Sequence, residues 1–260
     1  MEIINNVSHK KYGIAVFVLS FNQAQFIEEA LQSILEQHSE TPFHIFINDD
    51  ASTDGSQLIL RRYAAEYPAL ITVILQSENQ YNRGITIGID LFRYSNSDFI
   101  AFCEADDFWS SPSKLGKQLD FLNRFDFCSL VHSPVNILNS GASKKVEKDL
   151  KRHLRKNLPN RKYVSGDFLC NTNFIFTNSV MIRRSSIPEI LISDAGPLMP
   201  LDYIIFALST RFGSIGLIDE KLSTYRLHEN NYWASENPVF ENRWRDTKDF
   251  INQFSPYDFE

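Results

Sequence analysis

At 260 residues the chain is long enough to bury a substantial core, and without a long polar or Pro/Gly-rich linker it reads as one large domain or two fused halves. Hydrophobic residues at 43% and charged residues at 22% exclude a disordered chain, and a net charge of −6 excludes a nucleic-acid binder that works by broad phosphate neutralisation. Three widely spaced cysteines without a CxxC motif suggest neither a zinc knuckle nor a disulfide framework, and point to a reduced, cytoplasmic setting.

The first apolar run, Ile14 to Leu19, is too short for a signal peptide's apolar stretch or a membrane span, so a chain that does not cross a bilayer is expected. Its β-branched and aromatic residues do not alternate with polar ones, which predicts a strand covered on both faces of a parallel sheet. Phe26, Ile27, Ala30, Leu31, Ile34 and Leu35 follow at helical spacing, and Phe43 to Ile47 reads as a second buried strand. The rhythm continues with a helix over Ser56 to Tyr67, a strand over Ile71 to Leu75, a helix over Ile85 to Tyr94 and a strand over Phe99 to Cys103. Such alternation predicts an α/β, doubly wound sheet with right-handed crossovers.

Ser111-Pro112 reads as an N-cap with proline at the first helical position, opening a helix through Leu115, Leu119 and Leu122. Beyond it the rhythm changes: Phe127 to Leu138 reads as strand, and Lys144 to Lys162 as a basic surface loop. Strand-like Phe174 to Ile182, a helix from Leu201 to Phe212, and strands at Ile215 to Ile218 and Leu222 to Leu227 complete the chain.

Ligands of open parallel sheets bind beyond the carboxyl ends of the strands, and here those ends are acidic. The second predicted strand runs into Asn48-Asp49-Asp50-Ala51-Ser52-Thr53-Asp54-Gly55-Ser56 and the fourth into Glu104-Ala105-Asp106-Asp107-Phe108-Trp109. Carboxylates gathered in a cleft repel one another, and a hard cation such as Mg²⁺ or Mn²⁺ relieves the repulsion. Asp49, Asp50 and Asp54 read equally well as turn and capping residues. Three acids within four positions after a buried strand gain little from capping, so for Glu104 to Asp107 the cation-binding reading is the stronger.

The run Val16-Phe17-Val18-Leu19-Ser20-Phe21-Asn22, then Ile34-Leu35-Glu36-Gln37, then the acidic turn after Ile47, resembles the nucleotide-binding half of family 2 glycosyltransferases. The stretch Phe99 to Trp109, with Lys114, Gln118 and Phe121-Leu122 after it, resembles that family's DxD-type segment and following helix. The resemblance implies a GT-A-type, mostly parallel mixed sheet, with a nucleotide-sugar-binding half over residues 1–125 fused to an acceptor-binding half over 126–260, and the basic loop at about 141–163. It implies inverting transfer of a sugar from a nucleoside diphosphate sugar, UDP-type, to a hydroxyl of a glycan or lipid-linked glycan in bacterial surface polysaccharide assembly.

Carried over residue by residue, the resemblance implies that Asp50 meets the nucleotide base and that Ser20 and Asn22 line the same pocket. It places Glu104 near the ribose and diphosphate, makes Asp106 a ligand of Mn²⁺ or Mg²⁺, and puts Asp107 in support of Asp106. Asp202, in Pro200-Leu201-Asp202-Tyr203, matches the catalytic carboxylate, although a helix-capping role explains it equally well in isolation. His228, in Tyr225-Arg226-Leu227-His228-Glu229, resembles a C-terminal histidine that contacts metal or diphosphate. Phe108 and Trp109 read as core in preference to an acceptor wall.

Lys144, Lys145, Lys148, Lys151, Arg152, Arg155, Lys156, Arg161 and Lys162 form the basic segment, a solvated surface in the plain reading and a peripheral contact with an anionic membrane or lipid diphosphate in the sharper one. A dehydrogenase, a P-loop enzyme and a zincin lack their signatures here, since GxGxxG, GxxxxGK[ST] and HExxH are absent. A nucleotidyltransferase and a non-catalytic nucleotide- or sugar-binding module are the surviving alternatives. The first would carry a glycine-rich basic loop after the first strand, where Ser20-Phe21-Asn22-Gln23 stands.

Overall fold

The computed structural model describes all residues except 8–9, 84, 86–87, 158–160, 171–172, 190, 192–200, 230, 232–246 and 254–260. In chain order its elements are β1 (Glu2–Ile4), β2 (Tyr12–Ser20), α1 (Ile27–Leu35), β3 (Phe43–Asp49), α2 (Ser56–Glu66), β4 (Ile71–Leu75), α3 (Ile89–Tyr94) and β5 (Ser97–Glu104). Then come α4 (Lys114–Arg124), β6 (Cys128–His132), β7 (Val135–Asn139), α5 (Lys144–Asn157), β8 (Tyr163–Val164), α6 (Asp167–Cys170), β9 (Met181–Arg183), α7 (Leu201–Ser209), β10 (Ser214–Leu217) and β11 (Ser223–Leu227).

The main sheet has the order β1-β4-β3-β2-β5-β9-β6-β10-β8. Its centre, β4-β3-β2-β5, is parallel, while β9 lies antiparallel between β5 and β6. Strand β2 shows why the uninterrupted apolar run was informative. Ala15 and Phe17 pack into one buried cluster with α3 and α7, whereas Ile14, Val16 and Val18 pack into the other with α1, α2 and α4. Burying such side chains contributes about 1.5–3 kcal/mol each, so neither face can be left to water.

Several boundaries differ from the sequence expectations. The helix expected from Ile85 begins at Ile89, with Gly88 at its N-cap in a left-handed conformation (φ 85°) that a helix interior does not allow. The expected cap at Ser111-Pro112 is displaced to Ser113, without a side-chain capping bond, and the Ser111 and Ser113 hydroxyls bond each other at 3.0 Å instead. The strand expected over Phe127 to Leu138 breaks at Ser133-Pro134, where proline has no N–H for a ladder, so β6 joins the main sheet and β7 pairs in parallel with β11. The stretch from Phe174 is non-repetitive with a 3₁₀ turn at Thr177–Ser179, and only Met181–Arg183 pairs as a strand.

The largest correction concerns the basic loop. Lys144 to Asn157 is an amphipathic helix, α5, and Leu150 on its inner face is fully buried against Val135, Tyr225 and Leu227. Val146 and Leu154, four residues to either side, complete the stripe. The density of lysine and arginine hid a helical period of apolar residues.

Candidate active site

The sheet register assembles the floor of the site. Ser20, the last residue of β2, lies opposite Asp49 of β3, and Leu19 lies opposite Glu104 of β5. Because neighbouring strands are about 4.8 Å apart, the acids that follow β3 and β5 flank the end of β2 at one strand spacing each. The backbone holds them there: Asp50 N–H donates to the Ser20 carbonyl at 2.9 Å and Ala105 N–H to the Leu19 carbonyl at 3.0 Å.

The three acids after β3 have separate occupations. Asp49 accepts hydrogen bonds from Ser52 N–H, Gln57 and Ser20, and Asp54 accepts from Ser56 N–H and Ala24 N–H, so these two organise the turn. The Asp50 carboxylate instead accepts from the backbone N–H groups of Gln80 at 2.6 Å and Tyr81 at 3.1 Å, one to each oxygen, which leaves each oxygen a further acceptor site. Burial raises its pKa, and those two hydrogen bonds oppose the rise. Asn22 (φ 53°) and Ala51 (φ 62°) take left-handed conformations beside it, a strained geometry that costs a non-glycine residue such as alanine about 1–2 kcal/mol. The Asn22 side chain locks the two turns together by accepting from Thr53 N–H at 2.9 Å.

The acidic turn after β5 is tied to β11. Phe108 and Thr224 exchange backbone bonds, and Asp107 accepts from Arg226 N–H at 2.8 Å. This ladder delivers His228 to Asp106, with His228 Nε2 and Asn231 Nδ2 at 3.0 and 3.3 Å from Asp106 Oδ2. Asp107 is buried with Oδ2 lacking a protein partner among the described residues, and burial followed by the Asp106 and Glu104 charges pushes its pKa well up. Trp109 is core, as expected, donating to the Asn178 carbonyl.

Asp202 stands in the first turn of α7, where its Oδ2 accepts from the Thr177 hydroxyl at 2.7 Å. Burial raises its pKa, and the Thr177 hydrogen bond is the leading opposing influence. Glu104 is pushed well above the ordinary glutamate range by burial, then by the charges of Asp106 and Asp202, which places all three carboxylates in one electrostatic neighbourhood.

A cleft of about 550 Å³ opens at this edge, and its lining includes Ser20, Asn22, Asp50, Glu104, Asp106 and His228. Six of the seven residues singled out from the sequence therefore share one cavity; Asp202 lies outside its lining, coupled to it through Glu104. Sequence reasoning passed over Arg226. This buried cation pairs with Glu29, donates to the Asp106 carbonyl at 2.9 Å and sits over the Phe26 and Phe108 rings at 4.6 and 5.4 Å. Nothing in Tyr225-Arg226-Leu227-His228 marks it except a charge inside an apolar run. Thr177, the partner of Asp202, carries no local signal.

Among the described residues no group of three or more His, Cys, Asp and Glu side chains is arranged to hold a metal unaided. The adjacent Asp106 carboxylate and His228 imidazole suit a cation that keeps waters and draws its other ligands from phosphate oxygens, as Mg²⁺ does. Also among the described residues, no helix is long and apolar enough to cross a membrane.

A parallel sheet bearing a cleft of this composition at its carboxyl edge is the architecture of GT-A glycosyltransferases. Residues 15–191 match Glycosyl transferase family 2, and the chain belongs to that family. An uncharacterised protein of Mycobacterium tuberculosis is 32% identical over 223 residues, covering 85% of this chain and 61% of that protein, so the chain spans about three-fifths of that relative's length. Residues 1–349 of S. aureus TarS, solved in complex with UDP-GlcNAc, superpose with a TM-score of 0.67 at 15% identity over 94% of this chain and 68% of that one. Mannosyltransferase PcManGT from Pyrobaculum calidifontis, solved with GDP-Man and Mn²⁺, gives a TM-score of 0.61 at 19% identity, covering 86% of this chain and 60% of that one.

Proposed function

We propose that this chain is an inverting glycosyltransferase that moves one sugar from a nucleoside diphosphate sugar, UDP-type, to a hydroxyl of a glycan or lipid-linked glycan acceptor. The observation that carries the reading is the gathering of Ser20, Asn22, Asp50, Glu104, Asp106 and His228 in one cleft. In this reading Asp50 receives a hydrogen bond from the base, while Ser20 and Asn22 border the nucleoside. Asp106 and His228 would hold Mn²⁺ or Mg²⁺, and that ion would supply positive charge against the negative charge growing on the departing nucleoside diphosphate. A solved relative of the same fold contains a nucleotide sugar with Mn²⁺, and another contains UDP-GlcNAc.

Asp202 takes the proton from the acceptor hydroxyl as the new bond forms between that oxygen and the anomeric carbon. The bond from the anomeric carbon to the diphosphate oxygen breaks on the opposite face, and the electron pair leaves with the nucleoside diphosphate. A base with a raised pKa suits this task, because proton transfer is most effective when the base's pKa lies nearer the working pH. Thr177 fixes the carboxylate's direction, and Arg226 holds the acidic turn against β11. The setting we infer is assembly of bacterial surface polysaccharide on the cytoplasmic side, with peripheral membrane contact as a separate use of the α5 cations.

Calorimetric titration with UDP, dTDP, GDP and CMP, each with and without Mn²⁺ and repeated on Asp106→Ala, tests the donor site. One nucleotide should bind in a metal-dependent way, and the variant should lose about 10–100-fold in affinity. Binding that ignores both metal and Asp106 would remove this reading in favour of a non-catalytic module.

A further inference from the structure

The molecule has a second, larger cleft, of about 800 Å³, between α5 and the β7–β11 ribbon. Lys144, Lys148, Lys151 and Arg155 follow one another along α5 at intervals of four, three and four residues, which places them on a single stripe of the helix. At 1.5 Å rise per residue they span about 16 Å, one cation every 5–6 Å or so. Lys221 adds a fifth cation from the loop before β11, against one acid in the lining, Glu147, which pairs with Lys151. Among the described residues the other four cations make no ion pair. The floor between them is apolar and aromatic, with Ile137, Phe174 and Phe176.

One wall of the cleft is linked along the chain to the proposed base. Phe176 packs on Tyr225 with ring centroids 4.8 Å apart, and the residue after Phe176 is Thr177, whose hydroxyl holds Asp202. The Asp202 charge also acts on Glu104, which lines the acidic cleft.

We propose that the α5 cleft binds the acceptor, and that the acceptor is an anionic glycan carrying carboxylates or phosphates on successive units. This rests on the transferase reading and names the substrate class for its acceptor side. A row of cations drawn out along a helix matches charges repeated along a polymer, whereas a single diphosphate headgroup would need them clustered at one point. The aromatic floor supplies apolar contact for the CH faces of sugar rings. A chain held along this stripe would meet the Phe176–Thr177 segment, whose threonine hydroxyl positions Asp202, the proposed base.

The test is titration of the whole chain with hexagalacturonate, with a glycerol phosphate hexamer, with neutral maltohexaose, and with vesicles of phosphatidylglycerol and phosphatidylcholine. It is repeated on the Lys144→Gln/Lys148→Gln/Lys151→Gln/Arg155→Gln variant. At least one anionic oligomer should bind, weaken with added salt, and lose about tenfold or more in affinity in the variant, while maltohexaose binds weakly or not at all. The variant's melting temperature and its nucleotide titration should match the parent, which shows that a loss of glycan binding is not a loss of fold. The proposal is overturned if neither oligomer binds, if the variant binds them unchanged, if maltohexaose binds as well as they do, or if only the vesicles are captured. A null nucleotide titration beside positive oligomer binding would instead count against the transferase reading alone.

Discussion

The acidic cleft is lined by Asp50, Asp54, Glu104 and Asp106 with no lysine or arginine among its described lining, whereas the α5 cleft carries five cations and one acid. Both, on the functional reading, receive anions. The acidic cleft would then take a diphosphate through a cation, because its carboxylates repel phosphates and one another. The α5 cleft meets negative charge directly. On that reading, a chain of net charge −6 that concentrates four cations on one helical stripe would separate two kinds of anion recognition, one metal-dependent and one salt-dependent. Asp202 is linked to both, by the hydroxyl of Thr177, which follows Phe176 of the α5 cleft, and by the effect of its charge on Glu104 of the acidic cleft.

Breaking the chemistry while sparing both clefts should give the largest effect. Asp202→Asn should lower the transfer rate by about 10²–10⁴-fold while nucleotide affinity stays the same. Single-turnover assays beside the nucleotide titration check this, and a variant of normal rate would reassign Asp202 to helix capping.

The two regions should also separate in stability. Leu150→Ala removes the fully buried anchor of α5 and should destabilise the chain by about 2–5 kcal/mol, read as the shift of a urea unfolding curve. Hydrogen exchange should rise first in α5, with β2, β3 and β5 still protected. Equal loss of protection in both regions would mean that they unfold as a single unit.

The smallest effect concerns pH. Burial raises the Asp202 pKa, so the acid limb of kcat/KM should lie above the ordinary aspartate range. The Thr177 hydroxyl favours the ionised form and holds the pKa down. Thr177→Val should therefore raise it further and move the acid limb to higher pH, since the base must lose its proton to work. A profile that does not move would show that Asp202 is not the group titrating.

Much of the acidic cleft was legible in the sequence. A parallel sheet sends its strand ends to one edge, so Ser20, Asn22, Asp50, Glu104 and Asp106, each just beyond an apolar run, were bound to meet once β2, β3 and β5 were adjacent. Ser20 and Asn22, like His228, were singled out through resemblance, and the β11 ladder explains the position of His228. The α5 cleft was obscured for a definable reason. Charged residues dominate Lys144 to Asn157, and the three apolar residues that give it helical period, Val146, Leu150 and Leu154, have meaning only against a partner surface.

Local chemistry determined the elements: β2's uninterrupted apolar run, the left-handed glycine before α3 and the proline that divides β6 from β7 are statements about single residues and their neighbours. Tertiary structure decided the pairings. Arg226 against Glu29, 197 residues apart, Thr177 against Asp202, and Asp106 against His228 arise from contacts that no periodicity encodes. Hydrogen bonds and charge interactions act over a few ångströms of space, and only the folded sheet converts distance along the chain into that proximity.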